Sequence, residues 1–200
     1  MAEIRSALAL VYEPGRKGAG SGDAAVSIKE ITGRDIVQFA AWPDTVAAAA
    51  KKAAKTVGHA LPDDTFIAAS KAKTTVFRIA PEKFLIVCPV RAGMGAALSK
   101  AFKAEQAVVT ELGHSRTILR VSGDAARDVL ARGMPVDLDQ GVFARGAFVQ
   151  TGIHGVAVLC HRSGRDQFDL IMPRNFAVNI YEWLEETAAQ FGCTVEEAGA

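Results

Sequence analysis

The chain is short of nearly everything that announces chemistry. It has no CxxC pair, and its three cysteines, Cys88, Cys160 and Cys193, are widely spaced, which excludes a thiolate zinc ribbon and a disulfide framework. Cys88 and Cys160 fall in apolar runs, where cysteine serves as a small buried hydrophobe, and free thiols of this kind belong to a reducing compartment. The four histidines, His59, His114, His154 and His161, never stand three or four residues apart, so no helical metal site is encoded. The GxSxG nucleophile motif is missing. A charge excess is missing too: 23 Lys and Arg against 22 Asp and Glu leave a net charge of +1, whereas a nucleic-acid binder needs a concentrated basic face. Aromatics make up 7% of the chain and fall mostly at core positions, which leaves little with which to stack RNA bases. No apolar run approaches the roughly 20 residues of a membrane span, and Ala7 to Val11 is too short for a signal-peptide core. These absences predict a soluble, cytoplasmic protein that has neither nucleic acid nor membrane as a partner.

What is present is a large apolar fraction, half of 200 residues, enough to bury one large core or two small ones. The clearest succession lies between Glu111 and Leu184. Ser115 to Val121 alternates as a half-buried strand does, Ser122 is placed to cap a helix whose apolar side is Ala126, Val129 and Leu130, and Gly133 supplies the stop. Ala147 to Thr151, Val156 to His161 and Gln167 to Met172 follow as strands joined by glycine turns, then a helix with Phe176, Ile180, Trp183 and Leu184 on its apolar side.

Upstream, Ala24 to Thr32 reads as a strand that Gly33 breaks. Trp42-Pro43-Asp44 introduces an Ala-rich helix ended by Gly58, and Phe66 to Ala69, Thr74 to Ala80 and Lys83 to Pro89 read as strands before a second helix, Gly93 to Phe102. FLIVCP at Phe84 to Pro89 stands against FDLIMP at Phe168 to Pro173, an offset of 84, and each is followed by a helix. The order predicts an α+β fold of two pseudo-repeated antiparallel sheets with helices on one face of each. Residues 24–106 form the first half, 107–192 the second, and 193–200 a tail.

Residues 1–23 are expected to be an arm and a Gly-rich linker. The apolar positions of the arm, Leu8, Leu10 and Tyr12, with Arg5, have two readings: a frayed terminus, or a segment that orders against a partner. The GxGxG of the linker precedes its first strand instead of following one, so it is not a phosphate loop. Lys51, Lys52 and Lys55 are a solvated helix face, and His161-Arg162 lies beside a turn, where polar residues are ordinary.

Three segments, LGHSRTILRVSGDAARDVLARGMPVDL, GAFVQT and LCHRSGRDQFDLIMPRNFAVNIYEWL, together with GHALP, FRIAPEKFLIVCP and an N-terminal RSAL, resemble the gamma subunits of heterotetrameric sarcosine oxidases. The resemblance implies alpha, beta and delta partners in an assembly that oxidises sarcosine, passes the one-carbon unit to tetrahydrofolate and forms hydrogen peroxide. It places FAD and the sarcosine site on beta, FMN between alpha and beta, NAD and the folate site on alpha, and zinc on delta. Gamma itself is implied to hold no cofactor and no catalytic residue.

That family is similar in fold to the folate-binding domain of glycine-cleavage aminomethyltransferases, where a YTGE-type turn carries the acid that meets the pterin. The corresponding run here is Arg162-Ser163-Gly164-Arg165-Asp166-Gln167-Phe168-Asp169. Gly164 persists, the acid is replaced by Arg165, which has donors and no acceptor, and Asp166 stands one position along. Gly164, Arg165 and Asp166 are therefore expected to be a vestigial folate turn. A stand-alone folate-binding or aminomethyl-transfer protein of the same fold is the alternative.

Overall fold

The computed structural model describes residues 6–18 and 23–200. Among these the elements run β1 (Gly15–Lys17), β2 (Val26–Glu30), β3 (Arg34–Ala41), α1 (Val46–Val57), β4 (Ala69–Lys71), β5 (Thr74–Ala80), β6 (Lys83–Pro89), α2 (Met94–Ala101), β7 (Ala107–Glu111), β8 (Arg116–Ser122), α3 (Ala126–Ala131), β9 (Phe148–Ile153), β10 (Val156–Gly164), β11 (Gln167–Pro173), α4 (Ala177–Ala189) and β12 (Cys193–Val195). They form two compact units. The inserted unit is Gly33–Gly113, and the outer unit joins the residues through Thr32 to His114–Ala200.

The inserted unit is an antiparallel sheet in the order β4-β5-β6-β3-β7. Val37, Phe39 and Ala41 of β3 and Phe84, Ile86 and Cys88 of β6 point to one face, where they meet Ala49, Ala53 and Val57 of α1 and Met94 and Leu98 of α2. Ala49 and Ala53 are one helical turn apart and carry only a methyl each, so α1 presents a small, flat side to the sheet. Each large apolar side chain sealed here contributes roughly 1.5–3 kcal/mol.

Strand β3 is absent from the sequence reading, which passes from Gly33 straight to the helix, yet it is the strand between β6 and β7. Ile36 and Val37 are both buried, one on each face, and Arg34, Asp35 and Gln38 dilute the run, so simple alternation does not show. The strand expected at Phe66 to Ala69 is also displaced. The Asp64 carboxylate accepts the amides of Phe66 and Ile67 and holds a turn there; Ile67 makes a lone bridge, and the continuous ladder begins at Ala69.

The outer unit is a sheet in the order β1-β12-β2-β8-β11-β10-β9. Every pairing is antiparallel except β12 with β2, which is parallel. Leu119 and Val121 of β8, Phe168, Leu170 and Met172 of β11, and Val158 and Cys160 of β10 form a core with Val129 and Leu130 of α3 and Ile180, Tyr181 and Leu184 of α4. Three expectations change here. The linker forms β1, and the tail forms β12, because Cys193 and Val195 are apolar enough to be fully buried between two strands. Ser122 ends β8 rather than capping a helix; α3 begins at Ala126 after Ala125, with no side-chain cap. The chain turns at Gly123, whose φ of +110° suits glycine and where a Cβ would collide with the carbonyl of Ala25.

The strands at the expected seam near residues 24 and 107 fall on the other side of it. β2 pairs with β8 and β12 in the outer sheet, and β7 pairs with β3 in the inserted one. The repeat itself is visible: β6 and β11 each run into a single 3-10 turn, Val90–Ala92 and Arg174–Phe176, and then a helix. Among the described residues, no helix is long and apolar enough to cross a membrane.

Candidate functional site

The turn between β10 and β11 is the place where the folate acid was expected, and its geometry is set by two arginines. β10 carries a bulge between Arg162 and Gly164, after which Gly164 pairs with Gln167 and leaves Arg165 and Asp166 as the loop. The Arg162 side chain is buried beneath that loop. Its Nε and Nη2 donate to the Arg165 carbonyl at 3.1 and 2.7 Å, and its Nη1 donates to the Phe143 carbonyl at 2.6 Å. Arg127, on α3, donates from Nη2 to the same Arg165 carbonyl at 2.9 Å and from Nε to the Leu138 carbonyl at 3.1 Å. Its Nη1 meets Asp166 Oδ1 at 2.6 Å, and its guanidinium lies 5.6 Å from the centre of the Phe168 ring. The charge-assisted bonds therefore end on loop carbonyls and on one internal carboxylate.

This arrangement decides the fate of the three turn residues. Gly164 lies in the bulge. Arg165 presents its backbone inward and its side chain to solvent, 88% exposed. Asp166 is spent on Arg127, so the acid nearest the expected position accepts from the protein itself. Sequence reasoning passed over Arg127 and set Arg162 aside as an ordinary residue beside a turn. A signal did exist: the β5–β6 hairpin carries Arg78 at the same offset of 84, also just before a bulge. Arg78 donates from Nε and Nη2 to the Pro81 carbonyl at 3.1 and 2.6 Å, and from Nη1 to the Asp63 carbonyl at 2.8 Å. One device is built twice.

A second polar group lies on the other face of the outer sheet. Arg120 grips Asp169 with two bonds, Nε to Oδ1 at 2.7 Å and Nη2 to Oδ2 at 3.0 Å, and His161 is the cross-strand partner of Asp169. Burial, with Arg120 acting in the same direction, pushes the His161 imidazole down to about 4 despite the opposing pull of Asp169. It is neutral at physiological pH. All three cysteines are free and buried; burial raises the Cys88 and Cys193 thiols to about 11 and Cys160 higher still, so none is poised as a nucleophile. Among the described residues, no group of three or more His, Cys, Asp or Glu side chains is placed to hold a metal ion.

The N-terminal arm is placed differently from either expectation. Arg5 lies outside the described residues. Leu8 is fully buried in the core of the outer unit itself, with Ala7, Val11 and Tyr12 packed beside it. The Leu8 amide donates to Ser6 Oγ, and Ser6 Oγ donates to the buried Glu30 carboxylate at 2.5 Å. The Tyr12 hydroxyl accepts the Glu30 amide at 2.9 Å and donates to the Glu196 carbonyl at 2.7 Å. Leu8 and Tyr12 thus face inward, and Leu10 is left 99% exposed.

Residues 40–190 match the sarcosine oxidase, gamma subunit family. The sarcosine oxidase subunit gamma of Arthrobacter sp. is 30% identical over 173 residues, covering 86% of this chain and 84% of that protein. Its counterpart in Corynebacterium sp. (strain P-1) is 29% identical over the same shares. A solved heterotetrameric sarcosine oxidase from Corynebacterium sp. U-96, in complex with pyrrole 2-carboxylate, superposes with a TM-score of 0.84 at 24% identity, over 94% of this chain and 95% of the matched one. Glycine cleavage system aminomethyltransferase T from Bartonella henselae superposes with a TM-score of 0.66 at 16% identity, over 98% of this chain and 60% of that enzyme. The two solved structures establish the α+β fold expected from the pseudo-repeat.

Proposed function

The chain belongs to the sarcosine oxidase gamma subunit family, and we propose that within a heterotetrameric sarcosine oxidase it acts in assembly and support, without catalytic residues of its own. The observation that carries the reading is likeness along most of both chains: 86% of this chain and 84% of the Arthrobacter subunit align. In this reading alpha, beta and delta companions hold FAD, FMN, NAD, tetrahydrofolate and zinc. Sarcosine oxidation, one-carbon transfer and peroxide formation take place on those chains, in the cytoplasm. The engagement of Asp166 by Arg127 supports it, because a carboxylate already held by a guanidinium is a poorer acceptor for a pterin than a free one. The folate-binding alternative requires that acid to be free and is not favoured.

Co-purification tests the proposal. The tagged chain, co-expressed with alpha, beta and delta companions, should elute with three other polypeptides and the visible absorption of a flavin. Elution as a colourless single chain that binds tetrahydrofolate would replace this reading with the alternative.

A further inference from the structure

Glu30, the last residue of β2, is held by both ends of the chain. Its carboxylate, 2% exposed as a residue, accepts the Ser6 hydroxyl at 2.5 Å. Its amide donates to the Tyr12 hydroxyl at 2.9 Å, and its carbonyl accepts the Gly199 amide at 3.1 Å. Ser6 and Tyr12 belong to the arm, Gly199 to the tail. Tyr12 also reaches the tail directly, since its hydroxyl donates to the Glu196 carbonyl at 2.7 Å. The tail continues along β2 and just beyond it: the Glu196 amide donates to the Ile28 carbonyl, and the Thr32 amide to the Gly199 carbonyl. Arm, β2 and tail therefore meet at one point.

The same three segments share their apolar cover. Leu8 of the arm, Ile28 of β2 and Val195 of β12 are buried in one core, with Val11 and Tyr12 packed against it, and the Tyr12 ring lies 5.4 Å from that of Tyr181 on α4. β12 is three residues long and lies between β1 and β2. So short a strand makes too few ladder bonds to hold without support. The Tyr12 hydroxyl gives that support on Glu196, the residue that follows β12. β1, also three residues long, has β12 as its pairing neighbour and depends on it in turn.

We propose that the arm, β12 and the last residues form one clasp on Glu30, which opens and closes as a unit apart from the rest of the outer unit. Closed, the sheet ends in β1, whose three residues include Arg16 and Lys17; short basic strands at an edge resist pairing with other chains. Open, the sheet loses β12 and β1 together and ends in β2, where Val26 and Ile28 are otherwise buried. The freed N–H and C=O groups of β2 are then a template for strand addition. The clasp is a conformational device that keeps this flank covered. It lies wholly within the outer unit and stands whether or not the gamma-subunit reading does.

Native-state amide exchange of the full chain, followed residue by residue by NMR, tests the clasp. Its probes are the amides of Val11 and Tyr12, which bond to the Leu8 carbonyl, and those of Glu196 and Gly199 in the tail. Leu119 and Leu170, partners on the interior strands β8 and β11, report on the rest of the sheet. In the wild type, arm and tail should share one protection factor, at least about tenfold below that of the interior strands. Tyr12→Phe removes two bonds and should speed arm and tail by the same factor, about tenfold. By linkage, Val195→Ala in the tail should speed the arm as much as it speeds the tail. Val158→Ala, which opens a cavity under β10, should speed Leu119 and Leu170 and leave the clasp amides unchanged. A Tyr12→Phe chain whose arm speeds while its tail does not would overturn the clasp, because the two ends then open independently. So would a wild type in which arm and tail exchange no faster than Leu119 and Leu170, because no separate opening then exists. Should Val195→Ala fail to fold, Tyr12→Phe, which keeps the ring in place, decides alone. Neither result touches the gamma-subunit reading, which co-purification decides.

Discussion

The β5–β6 hairpin of the inserted unit and the β10–β11 hairpin of the outer unit solve one problem with one device in unlike surroundings. Arg78 and Arg162 each stand before a bulge and bind the carbonyl three residues on with Nε and Nη2, while Nη1 reaches back to an upstream loop. Arg78 is half-buried and Arg162 is buried, and among the described residues only the outer copy has a second arginine, Arg127, on the same carbonyl. Beyond the turn the copies part further. Cross-strand neighbours Phe77 and Leu85 in the inserted unit correspond to His161 and Asp169 in the outer unit, and Gln38 corresponds to Arg120. A repeated backbone thus keeps the bonds its turn requires and lets the flanking face change from apolar to charged.

The comparison is put under most strain by removing the arginines one at a time. Arg162→Met should cost about 2–3 kcal/mol, because it strands the Phe143 carbonyl in the interior and leaves the Arg165 carbonyl to Arg127 alone. Arg78→Met should cost about 1 kcal/mol, since water reaches the carbonyls it leaves. Chemical denaturation of the two variants measures the gap, and equal losses would mean that burial does not separate the copies.

Acid should find the outer unit first. The native His161 value of about 4 lies below its ordinary 6.5, so between these values the unfolded chain binds a proton that the native chain refuses, and stability falls as pH drops from 6.5 toward 4. The full loss from this group is about 3 kcal/mol. His161→Phe, which copies the Phe77 side of the comparison, should flatten that limb of a melting-temperature curve; an unchanged slope would remove His161 as its source.

The ion pair found only in the outer copy is worth less. A double-mutant cycle on Arg127→Met and Asp166→Asn should give a coupling of about 1–2 kcal/mol, given side chains 18% and 19% exposed. Arg127→Met, which frees Asp166, should also test the turn: if engagement of that carboxylate is what keeps folate away, the isolated variant gains measurable tetrahydrofolate binding, and no gain removes the engagement as the reason. The smallest effect belongs to the thiols. Native Cys88, Cys160 and Cys193 should react with a thiol reagent at pH 8 at least about a hundredfold more slowly than in denaturant, with no difference between the units.

Much of this was readable from residue order. The offset of 84 located β6 and β11 and the helices behind them, since a buried strand and the helix that covers it leave an apolar run followed by a 3.6-residue pattern. β3 escaped because Ile36 and Val37 are buried on opposite faces while Arg34, Asp35 and Gln38 interrupt the run, so neither face shows a clean period. β1 and β12 escaped because three residues are too few to show a period at all; pairing partners about 180 residues away, such as Val195 for Gly15, decide their state. The turn arginines were visible as letters but not as buried groups. Nothing local distinguishes Arg162 under a loop from an arginine beside water, although the recurrence of arginine at 78 and 162 was on the page.

The position of β12 has a consequence for how the chain is made. β2 emerges from the ribosome early, but its neighbours are β8 and β12, and the last of them is synthesised some 165 residues after β2, on the order of 10 to 30 seconds later. Every strand of the inserted unit has emerged by Glu111, so that unit can close on itself while Val26 and Ile28 still have no sheet to join. During that interval the nascent chain shows an apolar, unpaired edge, and a ribosome-stalled series should show protease protection reaching the inserted unit first and β2 only after Val195 has cleared the tunnel.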